Sequence, residues 1–117
     1  MNPIFDQRGS VVAWLNKDVL FDISGKPIAH IKNGSVFSYK SDYIGYIKSG
    51  FFRDKRGYAV AFIKGAAGGP VTPIPAIPPI PPIPAIPPIP PIPPVPPIPP
   101  IPTLSWSKLS WKEYLKG

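Results

Sequence analysis

The chain contains no cysteine and a single histidine. Disulfides and thiolate metal sites are therefore excluded, and cysteine usage says nothing about the redox compartment. No stretch carries the roughly 18 uninterrupted apolar residues of a spanning helix, and proline could not build a standard one. The opening residues MNPIFDQRGS lack a basic region followed by an apolar run, so no signal peptide is expected and the sequence points to the cytoplasm. Acidic residues are scarce: 6 against 13 Lys and Arg, a net charge of +7. Residues 1–69 hold ten of the bases and five of the acids, or +5, and the tail holds the remaining +2. Such an excess favours anionic surfaces, either nucleic acid or lipid headgroups, and it also maintains solubility.

Proline is what the sequence has in excess, 21 residues in 117, concentrated at 70–102. That leaves a domain at 1–69 and a tail at 103–117, and a domain so small folds alone only marginally unless its design is economical.

The domain is a repeat of sixteen residues. Ile4-Phe5-Asp6 recurs as Leu20-Phe21-Asp22, Val36-Phe37-Ser38 and Phe52-Arg53-Asp54. Three residues after each Asp or Ser stand Gly9, Gly25, Ser41 and Gly57. An aliphatic follows (Val12, Ile28, Ile44, Val60), then a small residue (Ala13, Ala29, Gly45, Ala61). A ring follows at Trp14, His30, Tyr46 and Phe62, and another aliphatic at Leu15, Ile31, Ile47 and Ile63. The units span about 3–18, 19–34, 35–50 and 51–66 without insertion.

Each unit reads as two short strands. Asp-x-x-Gly is a turn signature, because Asp bonds the backbone ahead of it and Gly accepts positive φ. The KNG of residues 32–34 and the KSG of 48–50 mark a second, hairpin turn. Segments such as PIAHIK and YIGYIK are rich in β-formers. One unit cannot bury its own face, so neighbours must stack. Equal units without caps predict an all-β fold: four 16-residue β-hairpin repeats closed into a pseudo-fourfold ring or shallow barrel, which also removes exposed edges.

These tandem units, followed by GGP, a long IPPIPP tract and LSWSKLSWKEYL, resemble the four-fold β-flower family over essentially the whole chain. The resemblance implies a shallow β-ring with petal-like hairpins and no established biochemical activity. That ring is similar to tubby-type barrels, some of which associate with anionic lipids, a fold analogy that transfers no residue. Ser38, Ser41 and Arg53 depart from the repeat, which places altered turn geometry and rim charge in the third and fourth petals.

Closure would turn equivalent positions into rings. Lys32, Lys48 and Lys64, with Asn16 at the equivalent position of the first unit, would form a basic collar suited to anionic lipid, or else would simply guard strand ends. Trp14, His30, Tyr46 and Phe62 point away from Ala13 and Leu15 by strand alternation and read chiefly as packing. His30 reads as a packed ring, and Asp6, Asp22 and Asp54 as turn residues. No nucleophile–base pair, phosphate-binding glycine loop or zinc constellation is present in the sequence. The expectation is a protein that is not an enzyme, with no cofactor and no metal. Basic residues interleaved with aromatics permit nucleic-acid binding, yet no recognised module for it appears.

In the tract an aliphatic stands at every third position: Ile74, Ile77, Ile80, Ile83, Ile86, Ile89, Ile92, Val95, Ile98 and Ile101. Polyproline II has three residues per turn and rises about 3.1 Å per residue, so these residues share one face of a rod reaching about 100 Å if straight. Val71 and Leu104 extend the register, and between Ile74 and Ile101 the other two faces are proline, interrupted only by Ala76 and Ala85. A spacer needs no such stripe, which predicts something apolar lying against it: sister rods, a groove on the domain or a partner, or lipid. Proline-recognition modules need only short motifs, so self-association or docking is the preferred reading.

In the tail, Ser110 with Glu113 forms a capping box, and Trp111, Tyr114 and Leu115 share one face of a short helix. With Trp106 they make a candidate anchor for a membrane interface or a plug for a β-ring. The overall expectation is a binding or assembly module that acts through its basic collar and Trp-rich tail. It would reside in the cytoplasm or at the periphery of a membrane. The alternative is a structural protein that self-associates through the striped rod.

Overall fold

A computed structural model describes all 117 residues. Eight antiparallel strands close a barrel in chain order: β1 (Asn2–Asp6), β2 (Val11–Asn16), β3 (Val19–Phe21), β4 (Pro27–Lys32), β5 (Ser35–Phe37), β6 (Tyr43–Lys48), β7 (Phe51–Arg53) and β8 (Ala59–Phe62). Closure comes from β1 on β8, with Phe5 opposite Phe62 and Asp6 opposite Ala61. One short helix follows, α1 (Trp111–Leu115). The four hairpin units of the sequence are the four petals.

Two kinds of turn alternate around the barrel. At one end the Asp6 carboxylate accepts from the N–H groups of Arg8 and Ser10 at 2.9 and 3.0 Å, while Gly9 closes the turn at φ +82°. Asp22 and Asp54 repeat the arrangement. In the third petal Ser38 Oγ replaces the carboxylate, with longer bonds of 3.2 and 3.1 Å to Lys40 and Asp42. At the other end Asn33-Gly34 and Ser49-Gly50 both take positive φ at their two central positions, as tight hairpins between right-twisted strands require.

A β-bulge in each petal departs from simple alternation. Ile4 pairs with Ala13 but Phe5 with Val11, so Val12 is the extra residue; Ile28, Ile44 and Val60 are its counterparts. The bulge lets adjacent residues Val12 and Ala13 both turn toward the core. Rings of Ile4, Leu20, Val36 and Phe52 and of Ala13, Ala29, Gly45 and Ala61 fill the barrel.

The helix plugs that barrel from within the same chain. Tyr114 is 1% exposed and belongs to the core cluster, with Trp111 and Leu115 packed on it. A Cβ at Gly45 would meet the Tyr114 ring and the Arg53 carbonyl, which explains why the small-residue ring carries its one glycine there. Ser110 caps the helix with the reciprocal bonds of a capping box. Ahead of it, Ala59 donates to Ser105 O at 3.1 Å and accepts from Ser107 N at 2.7 Å, which stitches the tail onto the start of β8.

The proline tract is not a straight rod. The molecule is a disc of 36 × 35 × 21 Å, far shorter than the reach of the extended tract. Ala76 N–H donates to Gly9 O at 2.8 Å, Ala85 N–H to Gly25 O at 3.0 Å and Thr103 N–H to Gly57 O at 3.1 Å. The tract therefore visits the petals in order as a belt around the barrel.

Candidate functional site

The belt and the barrel are two matched repeats. Each sixteen-residue petal is served by nine residues of belt: Ala76, Ala85, position 94 and Thr103. Proline has no N–H to give, so the two alanines stand where a donor is needed. At the third station the donor position is Pro94, and that petal also lacks the glycine, having Ser41 at φ +70°. The other stations need glycine because a Cβ on Gly9, Gly25 or Gly57 would lie 2.6, 2.9 or 2.8 Å from Ile74 O, Ile83 O or Ile101 O. The third petal thus departs from the pattern on both sides of the contact.

Arg53 joins the two ends of the belt. It stands where the other petals have Phe5, Phe21 and Phe37, and like them it is buried, at 1% exposure. Its guanidinium donates to Gly57 O at 2.7 Å, to Thr103 O at 2.8 Å and to Gly68 O at 3.1 Å. It also lies 5.4 Å from the centre of the Phe51 ring. Burial lowers the guanidinium's pKa; the three carbonyls take its terminal N–H groups, while the buried Nε has no partner. Gly68 precedes the tract and Thr103 follows it, so the belt completes one turn. Its 35 residues between those points span about 108 Å at ~3.1 Å each. A circle of the disc's 36 Å diameter measures about 113 Å.

The ring residues of the barrel lie beneath this belt. Tyr46 Oη donates to Pro100 O at 2.9 Å, and His30 packs on Phe37 and Tyr39 with centroids 5.8 and 5.3 Å apart. Phe62 packs on Phe5 and Trp106. Desolvation lowers the pKa of His30, whose Nε2 is buried without a partner.

The aliphatic stripe, by contrast, faces solvent. Ile74 through Ile101 are 87–95% exposed without exception, and Val71 and Leu104 continue the line. A groove on the domain was one expected seat for the stripe; instead proline faces the barrel, with Pro73, Pro82, Pro93 and Pro102 half-buried. The physical reason is that the belt is held through carbonyls and N–H groups of its backbone with prolines against the barrel, which leaves the third face of the tract outward.

The candidate anchor is committed internally. Trp111, Tyr114 and Leu115 belong to the plug, and Trp106 packs against Phe51 and Phe62 at 6.2 and 6.1 Å. Of the two roles read for the tail, the structure shows the plug. Lys32 and Lys48 end β4 and β6 beside the tight hairpins, Lys64 follows β8, and all three are exposed. Asp6 and Asp22 are occupied by their own turns, while Asp54 is buried and also accepts from Ser107 Oγ at 2.6 Å, holding the tail. The tie of Arg53 to the belt ends, the bond of Asp54 to the tail and the alanine donors are roles that the sequence does not assign, and Arg53, expected to alter the rim charge, is buried instead. The nine-residue spacing of Ala76, Ala85 and Thr103 was the available signal.

A family model described as a 4-fold beta flower protein matches residues 2–115. No curated protein and no solved structure matches the chain.

Proposed function

The chain belongs to the four-fold β-flower family, and on that footing we propose that it is a non-enzymatic binding and assembly module whose working surface is its apolar rim. One observation carries this reading: a closed line of aliphatic side chains, nearly all of them fully exposed, held outward by a belt hydrogen-bonded to the barrel. Typical soluble monomers expose contiguous apolar patches of only a few hundred Å². Burying four of these isoleucines would contribute about 6–12 kcal/mol before the cost of association. The rim is stiff and pre-ordered, so little conformational entropy opposes its use.

The test replaces Ile77, Ile80, Ile86 and Ile89 with serine and compares the variant with the parent. Readouts are sedimentation without lipid and co-sedimentation with neutral vesicles. Loss of either activity in the variant supports the rim, whereas a parent chain inert in both assays refutes it.

A second reading concerns the collar. Exposed Lys32, Lys48 and Lys64, at equivalent strand ends of a chain of net charge +7, suit an anionic lipid surface, each lysine contributing about 1 kcal/mol near it. Binding to phosphatidylserine vesicles that weakens with salt and with Lys→Gln at all three positions supports it. Binding indifferent to both changes would sink it.

A further inference from the structure

Resting on the rim reading, we propose that the partner of the rim is further copies of this chain, joined edge to edge in one plane in an open-ended array. The shape of the stripe carries the choice. It is a closed ring on a convex edge, and any flat or rigid partner touches such an edge along a short arc. On a disc 36 Å across, an approach within about 3 Å covers an arc of about 20 Å, or roughly two isoleucines at their ~9 Å spacing. A single partner therefore leaves most of the ring in water, whereas identical discs cover it from every side.

Electrostatics points the same way. The chain carries +7, yet residues 70–102 hold no charged side chain, so the belt itself adds no charge to a contact between two copies. Coplanar discs keep their centres at least 36 Å apart, several times the ~8 Å screening length at physiological salt. Immersion of the rim in a bilayer fits poorly. The disc is 21 Å thick with Lys32, Lys48 and Lys64 at one set of turns and Arg8, Lys40 and Arg56 at the other, all within a hydrocarbon core of about 30 Å. Two discs with the same face up present their belts antiparallel at the contact. The shared three-residue period then lets the isoleucines of one seat over the proline pairs of the other. Because the ring is continuous, one contact leaves the remaining arc free and growth does not close.

The experiment is sedimentation velocity of the full chain from micromolar to millimolar concentration, without lipid. The expected result is a weight-average mass that rises at least twofold and never plateaus, and that changes little as salt is raised above physiological strength. Serine at all ten stripe positions should leave a monomer throughout. Serine at Ile74, Ile77, Ile80, Ile83 and Ile86 alone should lower the mass at every concentration, because half the ring is silenced. Fluorescence of buried Trp14 and of the half-buried tail residues Trp106 and Trp111 reports that each variant remains folded. A plateau at a defined dimer overturns the open array, and a monomer at every concentration overturns self-association altogether. If that monomer still binds neutral vesicles through its isoleucines, the rim reading survives with lipid as the partner. If it binds nothing, both readings fall.

Discussion

Ala85→Pro is the sharpest probe of the belt's register. Ala85 N–H donates to Gly25 O at 3.0 Å, and proline in its place removes the donor and puts its ring carbon where the N–H pointed at that oxygen. The lost bond costs about 0.5–1.5 kcal/mol, and the acceptor left on buried Gly25 raises the total to about 1–3 kcal/mol. The stabilisation that proline brings at unstrained sites does not offset this where the N–H was hydrogen-bonded. The net expectation is destabilisation of at least about 1–3 kcal/mol. In thermal unfolding that is a fall in Tm of about 4–8 °C per kcal/mol. Ala76→Pro, at the equivalent 2.8 Å bond to Gly9 O, should behave alike. Pro84→Ala, which removes no donor, should cost no more than the proline's entropic contribution of about 1 kcal/mol. If Ala85→Pro proved neutral or stabilising, the alanines would not be donor stations and the nine-to-sixteen match would be coincidence.

Three other outcomes follow from the same contacts. Arg53→Met leaves the Thr103 and Gly68 carbonyls without their donor and should cost about 2–4 kcal/mol in chemical denaturation, with faster proteolysis at the two belt ends. Gly25→Ala forces φ +92° on a residue with a Cβ and brings that Cβ to 2.9 Å from Ile83 O, so it should lower stability by about 2–3 kcal/mol; Ser41→Gly, at φ +70°, should raise it by about 0.5–1 kcal/mol. The pKa of His30 is lowered by desolvation, so between its folded value and the ordinary value near 6.5 the unfolded chain binds more protons. Its contribution is therefore fully present above about pH 6.5 and lost as pH falls, and pH-dependent melting of His30→Phe should lose that slope.

The petals were legible because their information is local and repeated. Asp6, Asp22 and Asp54 head their turns through bonds to the next few N–H groups, and Ser110 with Glu113 caps the helix in the same short-range way. The bulges were hidden because Val12-Ala13 and its counterparts turn two adjacent side chains inward where alternation allows one. The direction of the stripe was illegible for a different reason. A polyproline helix has three faces, and burial alone favours turning isoleucine inward, but the contact is made by backbone groups of Ala76, Ala85 and Thr103. Arg53 was visible as a departure from the repeat. Its role depends on Gly68 and Thr103 meeting after a full turn, a closure between residues 35 apart that no local pattern encodes.

Small-angle X-ray scattering of the dilute full chain tests the belt most directly. A tract wrapped around the barrel predicts a compact disc with a radius of gyration close to the 13.2 Å of its Cα atoms and a longest dimension little beyond 36 Å once side chains are added. A tract released from the petals would extend the particle to about 100 Å, the reach of 33 residues at ~3.1 Å each, and that result would contradict the belt and the rim built on it.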